Sequence, residues 1–179
     1  MSAEPERNAQ NRAKRVRLML FDVDGVLTDG RLWYGADGET LKVFNVADGL
    51  GFGLLRDAGI DIGILSGRNS PAVAARAREL RIEHVLQGID DKRAAFEALA
   101  AKLGLAPEDT GFMGDDLVDL PVLRRCGFAC APTEAHERVR SSVHYVTSAA
   151  AGAGAAREVC EFVLRAQGRL ANAMARFLA

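Results

Sequence analysis

The 179-residue sequence predicts an α/β fold in which a mostly parallel sheet is wrapped by helices. Short apolar runs that each stop at a polar loop have the form of buried strands, and segments of helical period lie between them. The two kinds alternate along the chain, the pattern of parallel strands joined by crossover helices. The length suits a single hydrophobic core. Hydrophobic residues make up 49% of the chain and charged residues 26%, the balance of a soluble globular protein, and no apolar run approaches the roughly 20 residues of a membrane span.

The first apolar run, residues 16–21 (VRLMLF), stops at Asp22-Val23-Asp24-Gly25 and so places Asp22 at the carboxyl end of a strand. Similar runs recur at residues 60–65, 84–86, 110–113, 128–131 and 144–147. Helical period covers residues 50–58, 71–80, 92–103 and 117–125, and a final stretch from 155 to 179 that aligns Val159, Phe162, Val163, Ala166 and Leu170. Ser70 before Pro71 is an N-cap followed by a first-turn proline, and Gly104 closes the helix that begins at Lys92. Residues 31–44 break the alternation, because β-formers flank Gly35-Ala36-Asp37-Gly38, and they predict a projecting β-hairpin. The expected architecture is a Rossmann-like three-layer sandwich spanning residues 15–179 as one domain. The polar residues 1–14 are expected to be flexible.

Charge excludes some partners. Lys+Arg number 23 against 24 Asp+Glu, so no global basic field recommends nucleic acid or an anionic membrane, and anion recognition must be local. The N-terminus lacks the apolar core of a secretory signal, which predicts a cytoplasmic protein. Cys126, Cys130 and Cys160 lack CxxC spacing and sit in apolar surroundings, as buried residues do. His84, His136 and His144 are isolated and show no zinc-site spacing.

In open α/β sheets ligands bind at the carboxyl ends of the strands, so the residues just after each strand carry the functional information. Those positions hold Asp22-Val23-Asp24-Gly25, Ser66-Gly67-Arg68, Asp91-Lys92 and Gly114-Asp115-Asp116. Acids, a hydroxyl and cations at one crevice suit phosphoryl transfer, which depends on positioning and on stabilising charge at the phosphoryl oxygens. Asp22 and Asp115 can supply carboxylate oxygens to Mg2+. Asp22 is the candidate nucleophile, and Asp24 the candidate acid and base that protonates the leaving alkoxide and then deprotonates water. Ser66 and Lys92 would hold the phosphoryl oxygens. A receiver domain also clusters acids and a lysine at strand ends; the second acid of DVDGVLTDG, two residues after the first, separates the two.

These motifs, FDVDGVLTDG, LSGR, DDK and GDDLVD in that order, resemble those of the haloacid dehalogenase superfamily. The resemblance implies that Asp22 is the nucleophile and Asp24 the acid and base, and that Mg2+ is held by Asp22, the Asp24 backbone carbonyl and Asp115. Asp116 then supports the metal shell and Asp119 is structural. The gaps between motifs leave no room for a cap domain, so a neighbouring subunit would close the site, and capless relatives with this hairpin are homotetramers. From Leu18 to Leu170 the chain is similar to the 3-deoxy-D-manno-octulosonate 8-phosphate phosphatase family, which implies a phosphorylated acidic sugar as substrate. That likeness places substrate contacts on Asp24, Asn45, Val46, Ala47, Asp48, Gly49, Arg68, Arg76 and Lys92. On the hairpin, Trp33 and Tyr34 either contact a neighbouring subunit or cover the site, or serve strand packing alone.

Two positions depart from the family pattern: relatives usually carry a basic residue where this chain has Gly53 and another where it has Ala153. Both departures remove positive charge that could meet a sugar carboxylate, and nonulosonate 9-phosphate phosphatases are the nearest alternative. A non-catalytic oligomerisation module is a further alternative, against which the complete acid set argues.

Overall fold

The computed structural model describes residues 3–178, with eight strands and eight α-helices among them, and strand and helix alternate except at the β2–β3 hairpin and the final pair of helices. Helix α1 (Ala3–Ala13) precedes β1 (Leu18–Phe21), and β2 (Trp33–Gly35) with β3 (Gly38–Leu41) forms an antiparallel hairpin. There follow α2 (Val46–Asp57), β4 (Asp61–Leu65), α3 (Pro71–Glu79), β5 (His84–Leu86), α4 (Lys92–Lys102) and β6 (Thr110–Met113). The chain continues through α5 (Leu120–Leu123), β7 (Phe128–Ala131), α6 (Glu137–Arg140), β8 (Tyr145–Val146), α7 (Ala155–Ala166) and α8 (Leu170–Leu178).

Six strands form one sheet in the order β5-β4-β1-β6-β7-β8, and every neighbouring pair is parallel. Strand side chains alternate between the two faces. In β1, Met19 and Phe21 enter a core shared with Phe52 of α2 and Val159 and Val163 of α7, while Leu18 and Leu20 enter a second core with Phe96 of α4 and Val122 of α5. Both faces are therefore apolar and covered, as a parallel sheet requires. From β1 the chain winds to β4 and β5 on one side, then returns to β6, β7 and β8 on the other. Connections leave the carboxyl ends of β1 and β6 in opposite directions, and a crevice opens there.

Several boundaries differ from the sequence expectation for identifiable reasons. Residues 1–14, expected to be flexible, carry α1, whose Ala9 and Ala13 are buried in the core. Arg12 ties that helix to the Gly127 carbonyl at 3.0 Å, and Gln167 Nε2 donates to the carbonyls of Ala13 and Val16. Polar composition concealed a docking face made of two alanines. The terminal helix is two helices, broken at Gly168 with φ +69°, and Val159, Phe162 and Val163 pack into the core. Met1, Ser2 and Ala179 lie outside the described residues. The helix expected over residues 117–125 begins as a 3-10 turn, Leu117–Asp119, and continues as α5 with Pro121 in its first turn. Helix α2 starts earlier than its apolar pattern, capped by Asn45 Oδ1 accepting from Ala47 N at 2.9 Å. Ser70 stands at the N-cap of α3 but its hydroxyl donates to Glu39 Oε1 at 2.8 Å instead.

Because Ala9 is 1% exposed, Ala9→Asp forces an unpaired carboxylate against the core and is expected to cost roughly 2–4 kcal/mol. Urea unfolding followed by circular dichroism measures it; a midpoint equal to that of the parent protein would mean that α1 is not docked.

Candidate active site

Backbone ladders place the acids. Asp22 N donates to the Met113 carbonyl at 2.9 Å, extending the pairing of β1 with β6 by one residue, and Ser66 N donates to the Leu86 carbonyl at 2.9 Å, extending β4 beside β5. Immediately after Asp22 the chain folds into a tight turn in which the Val23 carbonyl accepts from the N–H groups of Val26, Leu27 and Thr28. Gly25 sits in that turn at φ +85°, and a Cβ there would lie 2.1 Å from Asp115 Oδ2. Only glycine permits both the left-handed backbone and the approach of the Asp115 carboxylate. Asp115 itself follows β6, and its carbonyl accepts from His136 N at 2.9 Å.

Lys92, at the start of α4, lies 3.0 Å from Asp22 Oδ1 and 2.7 Å from Asp119 Oδ1. Asp119 is fully buried; its second oxygen accepts from the backbone N–H groups of Asp115 at 3.0 Å and Asp116 at 3.3 Å. It thereby fixes two parts of the site at once, the Lys92 ammonium and the backbone after β6. Burial, reinforced by the charge of Asp119, pushes the Asp22 carboxyl up to about 7 against the opposing pull of Lys92. Asp115 is pushed to about 7 by burial and then by Asp119, Asp22 and Asp116. Burial lowers Lys92, but Asp22 and Asp119 outweigh it and hold the ammonium above its ordinary value.

The three carboxylates of Asp22, Asp115 and Asp119 can bring one oxygen each within 4.8 Å of the others. Asp119 spends its lone pairs on Lys92 and backbone N–H groups, which leaves Asp22 and Asp115. Asp115 Oδ1 is buried without a hydrogen-bond partner, a costly condition for an anionic oxygen unless a cation meets it. Hard carboxylate oxygens in this number suit magnesium. The Asp24 carbonyl accepts no hydrogen bond among the described residues and can serve as a further donor. Asp116 caps the following turn through Leu117 N at 2.7 Å.

Asp22, Asp24, Ser66, Arg68, Lys92, Asp115 and Asp116 share one open cavity of about 460 Å³, room for a sugar-sized ligand. A phosphoryl group entering it would meet the carboxylates of Asp22 and Asp24 and the Lys92 ammonium. The remaining residues assigned to substrate lie elsewhere. Asn45, Asp48, Gly49 and Arg76 line a separate crevice with only about 10 Å³ of free space, too little for more than a water. Asp48 Oδ1 accepts from Arg157 N at 2.8 Å, Asn45 Nδ2 donates to the Gly152 carbonyl at 3.2 Å, and Arg76 pairs with Glu79 at 2.9 Å. Val46 is exposed and Ala47 half-buried on the first turn of α2. Arg68 precedes α3 and Arg76 lies within it, so the two do not share one helix face.

The hairpin supplies residues that motif reading missed. Lys42 is hydrogen-bonded to Asp24 Oδ1, Glu39 accepts from Arg68 Nη2 at 2.8 Å, and Tyr34 Oη accepts from the same nitrogen at 3.0 Å. Tyr34 thus touches the site through Arg68, and both Trp33 and Tyr34 are exposed. A charged pair on an otherwise exposed hairpin was the available signal. His144 Nδ1 accepts from Ala129 N at 2.9 Å and His136 Nδ1 caps α6, structural tasks for both.

Comparison with known proteins places this geometry. Residues 34–127 match the model of the haloacid dehalogenase-like hydrolases. The chain is 42% identical to the 3-deoxy-D-manno-octulosonate 8-phosphate phosphatase of Salmonella typhi over 93% of its own length and 88% of the relative. It resembles the crystal structure of a probable YrbI family phosphatase from Pseudomonas syringae, with a TM-score of 0.94, 45% identity and coverage of 97% and 98% of the two chains. It also resembles the 3-deoxy-D-manno-octulosonate 8-phosphate phosphatase of Moraxella catarrhalis in complex with magnesium ion, phosphate ion and KDO, with a TM-score of 0.93, 40% identity and coverage of 96% and 98%.

Since Asp22 and Asp115 rise from 3.8 to about 7, they bind protons more tightly in the folded protein than in the unfolded chain. Their contribution to metal-free stability is full below the lower value and declines as pH rises toward the upper one. Magnesium binds the deprotonated acids, so the rise in Tm it produces should grow across the same interval. Thermal melts with and without magnesium check this; an equal magnesium shift on both sides of the interval contradicts it. Gly25→Ala should displace Asp115 and remove most of the magnesium-induced shift.

Proposed function

The chain belongs to the haloacid dehalogenase-like hydrolases and, within them, to the 3-deoxy-D-manno-octulosonate 8-phosphate phosphatase family, and we propose that it hydrolyses this phosphate ester to the free sugar and phosphate through an aspartyl-phosphate on Asp22. The observation that carries the proposal is the Asp22 carboxylate at the floor of an open cavity, 3.0 Å from the Lys92 ammonium, with Asp24 two residues along the same turn. The free sugar is the acidic sugar of Gram-negative lipopolysaccharide, so the reaction belongs to synthesis of its precursors.

Magnesium, the cofactor, would be held by Asp22, the Asp24 carbonyl and Asp115, and when bound offsets the repulsion between an anionic nucleophile and an anionic phosphate. Lys92 adds a fixed positive charge beside the attacking oxygen, and Ser66 presents its hydroxyl at the same cavity. An Asp22 oxygen attacks phosphorus, the bond from phosphorus to the sugar oxygen breaks, and Asp24 gives that oxygen its proton. Water then attacks the same phosphorus, Asp24 takes the water's proton, and phosphate departs as the Asp22 carboxylate is restored. Arg68, which lines the same cavity and is partly exposed though paired with Glu39, would face the rest of the sugar. Asn45, Val46, Ala47, Asp48, Gly49 and Arg76 would bind the far end of a substrate in an assembly where a neighbouring subunit extends the cavity.

A cytoplasmic homotetramer suits this open site. The hairpin segment presents Leu32, Trp33, Leu41 and Val43 to solvent, apolar surface that a second copy can cover. No helix of the described residues is long and apolar enough to cross a membrane.

Phosphate release should be magnesium-dependent, faster on 3-deoxy-D-manno-octulosonate 8-phosphate than on nonulosonate 9-phosphates or hexose phosphates, and abolished in Asp22→Asn. Equal rates across the panel would defeat the substrate assignment, and undiminished turnover in the variant would defeat the nucleophile. Light scattering should report four copies.

A further inference from the structure

The hairpin carries charges that the chemistry above does not use. The Lys42 side chain, just past β3, is 1% exposed; its ammonium is hydrogen-bonded to Asp24 Oδ1 and lies 3.2 Å from Glu39 Oε2. Glu39 Oε2 also accepts from Arg68 Nη2 at 2.8 Å, and Arg68 Nε stands 3.5 Å from Asp24 Oδ2. Asp24, Lys42, Glu39 and Arg68 therefore close a ring in which every charge touches two of opposite sign. Ser70 Oγ holds the other Glu39 oxygen at 2.8 Å.

Burying an ammonium and ordering a long flexible side chain are both unfavourable, and an ion pair repays them poorly as a stability device. The consequence of this ring lies in where it leaves Asp24. One oxygen is tethered to Lys42, whereas Oδ2 is buried without a hydrogen-bond partner in the wall of the catalytic cavity. A carboxyl group that must hand a proton to one substrate oxygen and later take one from water is served by that arrangement: one oxygen anchored, the other, 3.5 Å from Arg68 Nε, left without a hydrogen bond.

We propose that Lys42 is a positioning residue that holds the Asp24 carboxyl toward the leaving-group oxygen, with Glu39 fixing Lys42 in turn. The hairpin thus contributes to the chemistry of its own subunit. The role rests on Asp24 being the proton donor and acceptor.

Lys42→Met keeps the apolar stem and removes the ammonium, and Lys42→Arg restores a cation. With the magnesium-loaded full-length protein, kcat on 3-deoxy-D-manno-octulosonate 8-phosphate should fall about 10- to 100-fold in Lys42→Met, with KM little changed and partial recovery in Lys42→Arg. The burst of p-nitrophenolate from p-nitrophenyl phosphate should persist, because that leaving group departs without a proton. Unchanged kcat on the sugar phosphate, or a burst slowed by the same factor, overturns the proposal, the second outcome marking a general disturbance. A crystal structure of Lys42→Met supplies a readout independent of activity: Asp24 in its parent rotamer overturns the proposal, and a rotated carboxyl supports it. Asp24→Asn separates the two claims. Full sugar-phosphate turnover there refutes the proton-transfer role of Asp24, while the rotamer still reports whether Lys42 holds it.

Discussion

Lys92 bridges Asp22 at 3.0 Å and Asp119 at 2.7 Å, and with Asp115 beside them the crevice holds more negative charge than one ammonium balances. Like charges at such distances in a poorly solvated place repel strongly, and their protonation rises in response. The cluster persists because each member is fixed by something stiffer than the repulsion. Asp22 continues the ladder of the central strand, Asp119 is anchored by two backbone N–H groups, and Asp115 rests in the space left by Gly25. The sheet, the turn after β1 and the turn before α5 each hold one carboxylate in place.

Such a site is poised for a doubly charged cation, which supplies the opposite charge and in turn attracts an anionic phosphate. Preorganisation of this kind works because the charges are set before the substrate arrives and need not be gathered during the reaction. It also costs stability while the site is empty, and two covered sheet faces with large buried aromatics such as Phe21, Phe52, Phe96 and Phe112 offset that cost.

Much of this was legible in the chain. Apolar runs located all six strands of the sheet, the residues after them located Asp22, Asp24, Ser66, Lys92 and Asp115, and Gly35-Ala36-Asp37-Gly38 located the hairpin turn. What escaped had no periodic or motif signal. Helix α1 docks through Ala9 and Ala13, residues too small to mark an apolar face, and α6 is capped by a histidine, an uncommon N-cap. Lys42 and Glu39 reach the site only because the hairpin folds back over the turn after β1, a long-range approach that local sequence cannot state. Arg68 and Arg76 are eight residues apart, about two turns of a helix, but Pro71 starts α3 after Arg68 and the spacing does not bring them together.

The two strands at the margins of the sheet are very short: β5 has three residues and β8 has two. A long exposed margin offers unpaired N–H and C=O groups to any other chain and invites fibrous pairing. Here the inner strands are flanked on both sides and the margins end before a foreign strand could find a sustained register. Copies of this protein can therefore crowd around one another through side chains and hairpins without their sheets fusing edge to edge, which keeps close self-association finite.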